Sequence, residues 1–369
     1  MNSESMRVLF DAFWWHRGPT ANRSVMREII FAWKRVFPDD EIVLAIRSAH
    51  ADLAADDVPE NARVVTTRGF PHALSNSLEL AQISKRVQAD VMIVHNYTPL
   101  TGDSVVFIHD LMFEDHPEWF SPKERLYFAP MGWLARRAAG VTTSSAAESA
   151  RIERLHPRLA PVSSIGLSIP SAMATATPTR PDGLGSIDRF FLCVGRMNVR
   201  KNLETAIDGA RLSTSISAEF PLVIVGSSEH SGVNAELPPS VRRMAERGEL
   251  LFLGKISDGE LRWLYERSAG LLFLSRDEGF GLPPVEAGYF GSPVVASDID
   301  VLREVTGGEA IYVDPDSSAD VAQAIDSLAL TYMPRLRRTS TTRDAQAEWD
   351  SVAIALRHAT MPVPKEDQS

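Results

Sequence analysis

Short apolar runs recur between longer amphipathic stretches throughout this chain, and this alternation constrains its fold more than any other feature. Each run has a length suited to a buried strand, and the stretch that follows it has helical periodicity. Strand-then-helix repetition predicts parallel sheets covered by helices, because successive parallel strands must be joined by a crossover. The predicted strands span residues 7–10, 41–46, 91–94, 105–108, 141–143, 190–194, 222–225, 250–253, 270–274, 293–296 and 310–313.

A segment poor in large apolar residues separates two sets of these strands. Residues 170–186 are rich in Ala, Thr, Ser, Pro and Gly, a composition typical of an interdomain linker. We therefore expect an α/β protein with two Rossmann-like domains, one of residues 1–169 and one of residues 187–344. Residues 345–359 are predicted to form a terminal helix within a last segment, 345–369.

Composition favours a soluble enzyme over a fibrous or disordered protein. The 369 residues are 44% hydrophobic and 23% charged, which suffices for two apolar cores. The formal net charge of −10 disfavours broad binding to nucleic acid. The single cysteine, Cys193, lies in a predicted strand and should be a buried apolar residue in a reducing compartment. Neither a secretion signal nor a membrane-crossing run is visible, so we expect a cytoplasmic protein.

Two glutamates flank a glycine-rich loop in the segment of residues 277–297, DEGFGLPPVEAGYFGSPVVAS. Glu278 lies in the loop, and Glu286 lies about one turn into a short helix that the two prolines can open and Gly291 can close. The glycines of Gly279-Phe280-Gly281 allow backbone N–H groups to approach a ligand closely, and a helix start favours negative charge. Carboxylates accept hydrogen bonds from hydroxyls, which sugars and riboses present in pairs. Taken alone, Glu278 is better explained as a solvated loop residue and Glu286 as an N-terminal helix charge, whereas the two together with the glycines are not.

Two cations follow the predicted strand 190–194. Arg196 and Lys201 flank a loop that ends at Asn202, a predicted N-cap for a helix of residues 203–212. A loop between a parallel strand and a helix start is where phosphate is held best, and a guanidinium with an ammonium suits a diphosphate.

Both motifs together are similar to those of the retaining GT-B glycosyltransferases of the GT4 family. The EGFGLPPVEA and GSPVVAS sequences resemble that family's Glu-x7-Glu segment, and Arg196 with Lys201 resembles its Gly-Arg-x4-Lys diphosphate clamp. Arg200 matches no family position. The resemblance implies a GT-B fold in which two Rossmann-like domains face a cleft, with the last helix returning to the first domain.

The resemblance also implies roles for particular residues. Glu278 would contact the hydroxyls of the donor sugar and Glu286 the ribose, while the Gly279–Leu282 loop would approach the donor. His109, which follows the strand 105–108, resembles the family histidine beside the donor sugar. His95 also follows a strand, but it matches no motif residue, and a structural role is expected for it.

One loop departs from the family. Residues 20–24, Thr-Ala-Asn-Arg-Ser, stand where relatives carry a glycine pattern close to the donor phosphates, which leaves the role of Asn22 open. Two basic amphipathic stretches, 23–37 and 119–137, either pack on their own sheet or contact the inner face of a membrane. The Asp-x-Asp at residues 314–316 follows a strand and is predicted to form a turn and N-cap, so no metal site is assigned.

These expectations together define a metal-independent retaining glycosyltransferase without a cofactor. It would move a mannose-, rhamnose- or glucose-type sugar from a nucleoside diphosphate donor to a hydroxyl of a saccharide, a lipid-linked glycan or another acceptor. Two alternatives share the fold: a nucleotide-sugar epimerase, and a non-catalytic nucleotide-sugar-binding scaffold. The nucleotide base, the linkage and the oligomeric state are left open by the sequence.

Overall fold

The computed structural model describes residues 5–53, 57–196, 198–226, 238–332 and 343–360. They divide into two compact units, a first within Met1–Pro170 and Asp344–Ser369 and a second within Ser171–Arg343. Each unit has one parallel β-sheet among its described residues.

The first sheet has seven strands in the order β3-β2-β1-β4-β5-β6-β7, and all its pairings are parallel. These strands are β1 Arg7–Asp11, β2 Glu41–Arg47, β3 Arg63–Thr67, β4 Val91–His95, β5 Ser104–Ile108, β6 Gly140–Thr143 and β7 Ser163–Ser164. The second sheet has six parallel strands in the order β10-β9-β8-β11-β12-β13. They are β8 Phe191–Val194, β9 Leu222–Val225, β10 Leu250–Gly254, β11 Gly270–Phe273, β12 Val294–Ser297 and β13 Ile311–Val313.

Helices connect these strands. In chain order, the α-helices of the described residues are α1 Thr20–Val36, α2 His72–Leu74, α3 Leu80–Val87, α4 Met112–Asp115, α5 Pro122–Phe128, α6 Pro130–Ala135, α7 Ala146–Leu155, α8 Ser171–Thr175, α9 Leu203–Leu212, α10 Pro239–Glu246, α11 Asp258–Arg267, α12 Leu282–Tyr289, α13 Asp300–Val305, α14 Ser318–Thr331 and α15 Ala345–His358. A π-helical segment, Ser75–Glu79, joins α2 to α3, and short 3-10 turns cover Ser48–Leu53, Pro117–Trp119, Pro157–Leu159 and Asp182–Leu184.

The eleven predicted strands are all present, and each of their ends lies within one residue of the predicted bound. Two further strands, β3 and β7, were not predicted. The sequence of β3, RVVTT, is mostly exposed at a sheet edge, so it lacks the continuous apolar run of a buried strand. β7 has only two residues, both exposed.

Alternating side chains of the first sheet build a core on each of its faces. Val8 and Phe10 pack with residues of α1 and α15, whereas Leu9 packs with residues of α3 and α7. The second sheet likewise buries Cys193, and burial raises the pKa of its thiol to about 12, as expected for an inert apolar side chain.

The last helix, α15, belongs to the first unit, where it packs along α1. The indole of Trp349 donates to the Ile169 carbonyl at 2.8 Å, and Arg357 forms a buried ion pair with Asp40. Trp33 also donates to Asp40, at 2.9 Å, so one carboxylate ties α1 to α15.

Residues 171–186 differ from the predicted linker, because they pack on the second unit. Met173 and Leu184 are buried, and Arg262 of α11 donates to the carbonyls of Ala174 and Ala176 at 2.6 and 3.0 Å. Small polar residues and prolines are typical of a free linker. In the structure, however, two backbone carbonyls of this segment accept hydrogen bonds from α11. The basic segment at residues 333–343 lies, apart from Arg343, outside the described residues.

The two amphipathic stretches have different structures. Helix α1 buries its apolar face, including Ile29, Ile30 and Trp33, in the core of the first unit. Residues 119–137 instead form the separate helices α5 and α6, which leave Leu126 and Trp133 exposed. Within the described ranges, no helix combines the length and apolar character that crossing a membrane requires.

Candidate functional site

The loop after β8 places Lys201 at the carboxyl edge of the second sheet, where open α/β folds bind their ligands. The Lys201 backbone N–H donates to the Asn198 side chain at 2.8 Å, which fixes the loop. Asn202 stands at the N-cap of α9 as predicted, but its side chain does not cap the helix. It adopts a left-handed backbone, donates to the Pro315 carbonyl at 2.6 Å and accepts from Thr205 at 2.9 Å. The side-chain amide of Asn202 thus links the loop after β8 to the loop after β13 at this edge of the sheet.

Lys201 and Glu278 form a largely buried ion pair at this edge. Nζ of Lys201 lies 2.5 Å from Oε1 of Glu278, and Arg200 lies 3.6 Å from the other carboxylate oxygen. Burial opposes ionisation of Glu278, but Lys201 and Arg200 outweigh it and hold the pKa of this carboxyl below its usual value. Burial also lowers the pKa of Lys201, although Glu278 opposes that shift. Arg200, which matched no motif, therefore belongs to the site.

Glu286 is held by a tyrosine. It lies in α12 and accepts a hydrogen bond at 2.8 Å from the hydroxyl of Tyr265 on α11. Burial raises the pKa of Glu286 to about 7, although the Tyr265 hydrogen bond works against this shift. Lys201 interacts electrostatically with Glu286 as well as with Glu278, so the three groups form one site.

The glycine loop has the backbone that only glycine adopts readily. Gly281, the N-cap of α12, has a φ of 96°, and a Cβ there would lie 2.9 Å from the Leu302 side chain. A Cβ on Gly226 would collide with the carbonyl oxygen of Gly195, so the loops after β8 and β9 pack closely. Gly279 is buried and Phe280 half-buried, while Leu282 begins the helix as its first residue.

Arg196 lies in the same loop as Lys201, but it is exposed. Its side chain makes no hydrogen bond or ion pair with the described part of the chain. It is thus a cation at the edge of the site that no described protein group neutralises.

His109 follows β5 at the carboxyl edge of the first sheet. Its backbone N–H donates to the Asn96 side chain at 3.3 Å, and its ring packs on Phe107 with centroids 4.9 Å apart. Burial, with His95 and His72 nearby, lowers the pKa of His109 to about 3, so its imidazole is neutral at physiological pH. Its Nε2 is buried without a hydrogen-bond partner among the described residues.

A second group lies beside His109 that the sequence analysis did not assign. Asp11, His72 and His95, here called the Asp–His–His cluster, are each at most 2% exposed. Burial opposes ionisation of Asp11, yet His95 and His72 hold the pKa of its carboxyl well below its usual value. The signal available in the sequence was positional: Asp11 and His95 end neighbouring parallel strands, β1 and β4.

Two smaller predictions need correction. Asn22 lies in the first turn of α1, which begins at Thr20, and not in a loop. At residues 314–316 the predicted turn is present, since the Asp316 N–H donates to Asp314 at 2.9 Å. The N-cap of α14, however, is Ser317.

Comparison with known proteins shows what this chain is similar to. Residues 181–343, nearly all of the second unit, match the family described as glycosyl transferases group 1. The chain is 26% identical over 239 residues to O-antigen chain mannosyltransferase RfbU of Salmonella typhimurium, with 64% of each protein covered. It is 32% identical over 142 residues to O-antigen chain mannosyltransferase B of Escherichia coli, which covers 38% of this chain and 36% of the relative. The chain thus matches just under two thirds of the length of RfbU and little more than a third of the other.

Solved structures share the architecture over the whole chain. WaaG, described as a glycosyltransferase involved in lipopolysaccharide biosynthesis, superposes with a TM-score of 0.64 at 15% identity, covering 95% of this chain and 94% of WaaG. Anabaena HepE, solved with UDP and glucose, gives a TM-score of 0.58 at 19% identity, covering 97% and 95%. At such identities the likeness concerns the fold alone. That fold, with two parallel-sheet α/β domains, is the GT-B fold of glycosyltransferases. Within this class, the second unit of the chain is similar to the glycosyl transferases group 1 family.

Proposed function

We propose that this protein is a retaining glycosyltransferase of the GT4 type that transfers mannose from a nucleoside diphosphate donor to a hydroxyl of a saccharide acceptor. The observation that carries the proposal is the buried group formed by Lys201, Glu278 and Glu286 at the carboxyl edge of the second sheet. Its cation suits a diphosphate and its carboxylates suit hydroxyls. The choice of mannose rests on the names of the curated relatives, O-antigen chain mannosyltransferases.

Lys201 and Arg196 act on the leaving group in this proposal. Negative charge develops on the departing diphosphate as the sugar bond breaks, and a preorganised ammonium and guanidinium stabilise that charge. These two cations supply what a phosphate-bound metal provides in other transferases, so the transfer needs no metal on the diphosphate. The bond to the departing diphosphate and the bond to the incoming hydroxyl lie on one face of an oxocarbenium-like sugar. Neither a protein nucleophile nor a cofactor therefore takes part.

The two glutamates address different parts of the donor. Glu278 is ionised and bound by cations, and it accepts hydrogen bonds from the sugar hydroxyls. Glu286, which Tyr265 positions, accepts from the ribose. His109, a neutral imidazole, is assigned to the donor sugar by the family resemblance.

A matched pair of variants tests these roles. Donor preference is first measured by thermal shift with GDP-, UDP-, TDP- and ADP-sugars, mannose donors included. Glu278→Gln should then lower transfer to a saccharide acceptor while retaining affinity for the sugar-free nucleoside diphosphate, whereas Glu286→Gln should lower that affinity. If Glu278→Gln loses more affinity for the sugar-free ligand than Glu286→Gln, the roles are wrong.

Acceptor dependence separates the proposal from its alternatives. Turnover of the donor that increases with a saccharide acceptor supports transfer. Conversion of the donor sugar without an acceptor indicates an epimerase, and tight donor binding without any turnover indicates a scaffold.

A further inference from the structure

The Asp–His–His cluster in the first unit has the composition and spacing of a transition-metal site. One carboxylate oxygen and one nitrogen from each imidazole lie within 4.8 Å of one another. Nε2 of His72 is hydrogen-bonded to Oδ2 of Asp11 at 2.8 Å, and Nε2 of His95 lies 3.0 Å from the same oxygen, so a bound ion would take the place of the His72–Asp11 hydrogen bond. In a tetrahedral site with ligands about 2.0–2.1 Å from the metal, neighbouring ligand atoms are about 3.3 Å apart. Small side-chain shifts would therefore let the three groups surround an ion.

Hydrogen bonding leaves part of the cluster unexplained. His95 is 1% exposed, and neither of its ring nitrogens makes a hydrogen bond with the described residues. Its Nε2 lies 3.0 Å from Oδ2 of Asp11, but not in the direction that a hydrogen bond requires. A buried polar group without a partner destabilises the folded protein, so a group that binds Nε2 would remove part of this cost.

The surroundings of the cluster fix its carboxylate. Asn76 donates to Oδ2 of Asp11 at 2.7 Å, and the Phe13 backbone N–H donates to Oδ1 at 3.1 Å. Such outer contacts orient the ligands of protein metal sites. The rings of Phe13 and Trp14 pack on His72, with centroids 4.9 and 5.5 Å away, and keep this side apolar.

A small pocket borders the cluster. Asp11 and His95 line it together with Trp14, Asn22 and Arg23, all within the first unit. A metal site requires an entry path, and this pocket borders two of the three candidate ligands.

We propose that the Asp–His–His cluster binds one divalent transition-metal ion, with Zn²⁺ as the favoured ion. Two imidazoles with one carboxylate suit Zn²⁺, and three protein ligands leave a fourth position for a water or a substrate oxygen. The site is independent of the proposed donor chemistry, whose groups lie in the second unit.

Metal analysis of the untagged full chain, purified without chelator, tests this proposal. We expect about one ion per chain, in keeping with a three-ligand site, and a lower thermal midpoint once a chelator removes it. Co²⁺ added to the stripped protein should give the visible absorption of a four-coordinate site. His72→Gln and His95→Gln should each weaken ion binding by about 100-fold or more, since even outer-shell changes cost 10–100-fold.

His116→Gln is the matched control, because His116 is an exposed histidine of the same unit whose ring stacks on Trp119. It should leave ion binding unchanged. A chain isolated without metal, whose thermal midpoint does not move with millimolar Zn²⁺, Co²⁺ or Mn²⁺, would overturn the proposal. Equal ion binding by the wild type and both cluster variants would also overturn it. If the variants do not fold, the chelator and metal titrations of the wild type decide the question alone.

Discussion

We expect nucleotide binding to depend on pH in a direction that can be measured, because the pKa of Glu286 is raised. The folded protein holds this carboxyl at a pKa of about 7, against an ordinary value of 4.5. At pH 6 most of the free protein therefore carries Glu286 protonated, whereas the ribose contact proposed above uses the carboxylate. We expect binding of a sugar-free nucleoside diphosphate to release a proton and to strengthen as the pH rises through 7.

The size of the effect follows from the pKa. If only the carboxylate form binds, the apparent Kd exceeds its limiting value by about 11-fold at pH 6 and about 1.1-fold at pH 8. The expected change is thus about tenfold, or about 1.4 kcal/mol. The free energy of unfolding changes with pH in the opposite direction to the affinity. The reason is that the native state binds more protons than the unfolded state between the two pKa values of Glu286. The contribution of Glu286 to stability therefore falls as the pH rises from about 4.5 to 7.

Titration calorimetry between pH 6 and 8, in buffers of different ionisation enthalpy, measures both the affinity and the released proton. Glu286→Gln is the essential control, because the diphosphate also titrates in this range and the difference between the two proteins isolates the carboxyl. Tyr265→Phe removes a hydrogen bond that lowers the Glu286 pKa, so its midpoint should move to higher pH. A wild type with flat affinity, or a Glu286→Gln variant with the full tenfold dependence, would refute the reasoning.

Two further predictions concern turnover and stability. Lys201→Ala and Arg196→Ala should each lower the rate of transfer by about 100-fold or more at saturating donor, because each removes a charge contact at the leaving group; unchanged rates in folded variants would exclude the clamp. Arg357→Ala should lower the free energy of unfolding of the first unit by about 3–5 kcal/mol, because it leaves the buried Asp40 carboxylate without its cation. Arg35→Ala, which removes the more exposed pair with Asp350 in the same helix contact, should cost only about 0–1 kcal/mol in urea unfolding, and equal losses would contradict this account.

The sequence alone determined the class of fold and most residues of the candidate site in the second unit. Apolar runs followed by amphipathic stretches located eleven strands, because a parallel strand buried on both faces must be apolar along its length. The glycine loop and α12 were likewise predictable, since Gly281 needs a left-handed backbone and prolines favour a helix start. Such local signals depend on neighbouring residues only.

Tertiary structure decided which of these side chains meet. Lys201 and Glu278 are 77 positions apart, and their ion pair exists because β8 and β11 are adjacent in the sheet. The Tyr265 contact that positions Glu286 depends in the same way on how α11 lies against α12. No pattern within one segment encodes a strand order.

The same reason explains why residues 171–186 pack on the second unit and why the cluster was not assigned from the sequence. Residues 171–186 have the composition of a free segment, but α11 offers Arg262 to their carbonyls. Asp11, His72 and His95 come from three distant segments whose ligand atoms converge within 4.8 Å only once β1 and β4 pair. Local sequence therefore determined the elements and their chemistry, whereas the long-range packing of parallel strands decided which charges neutralise one another and which polar groups are left buried together.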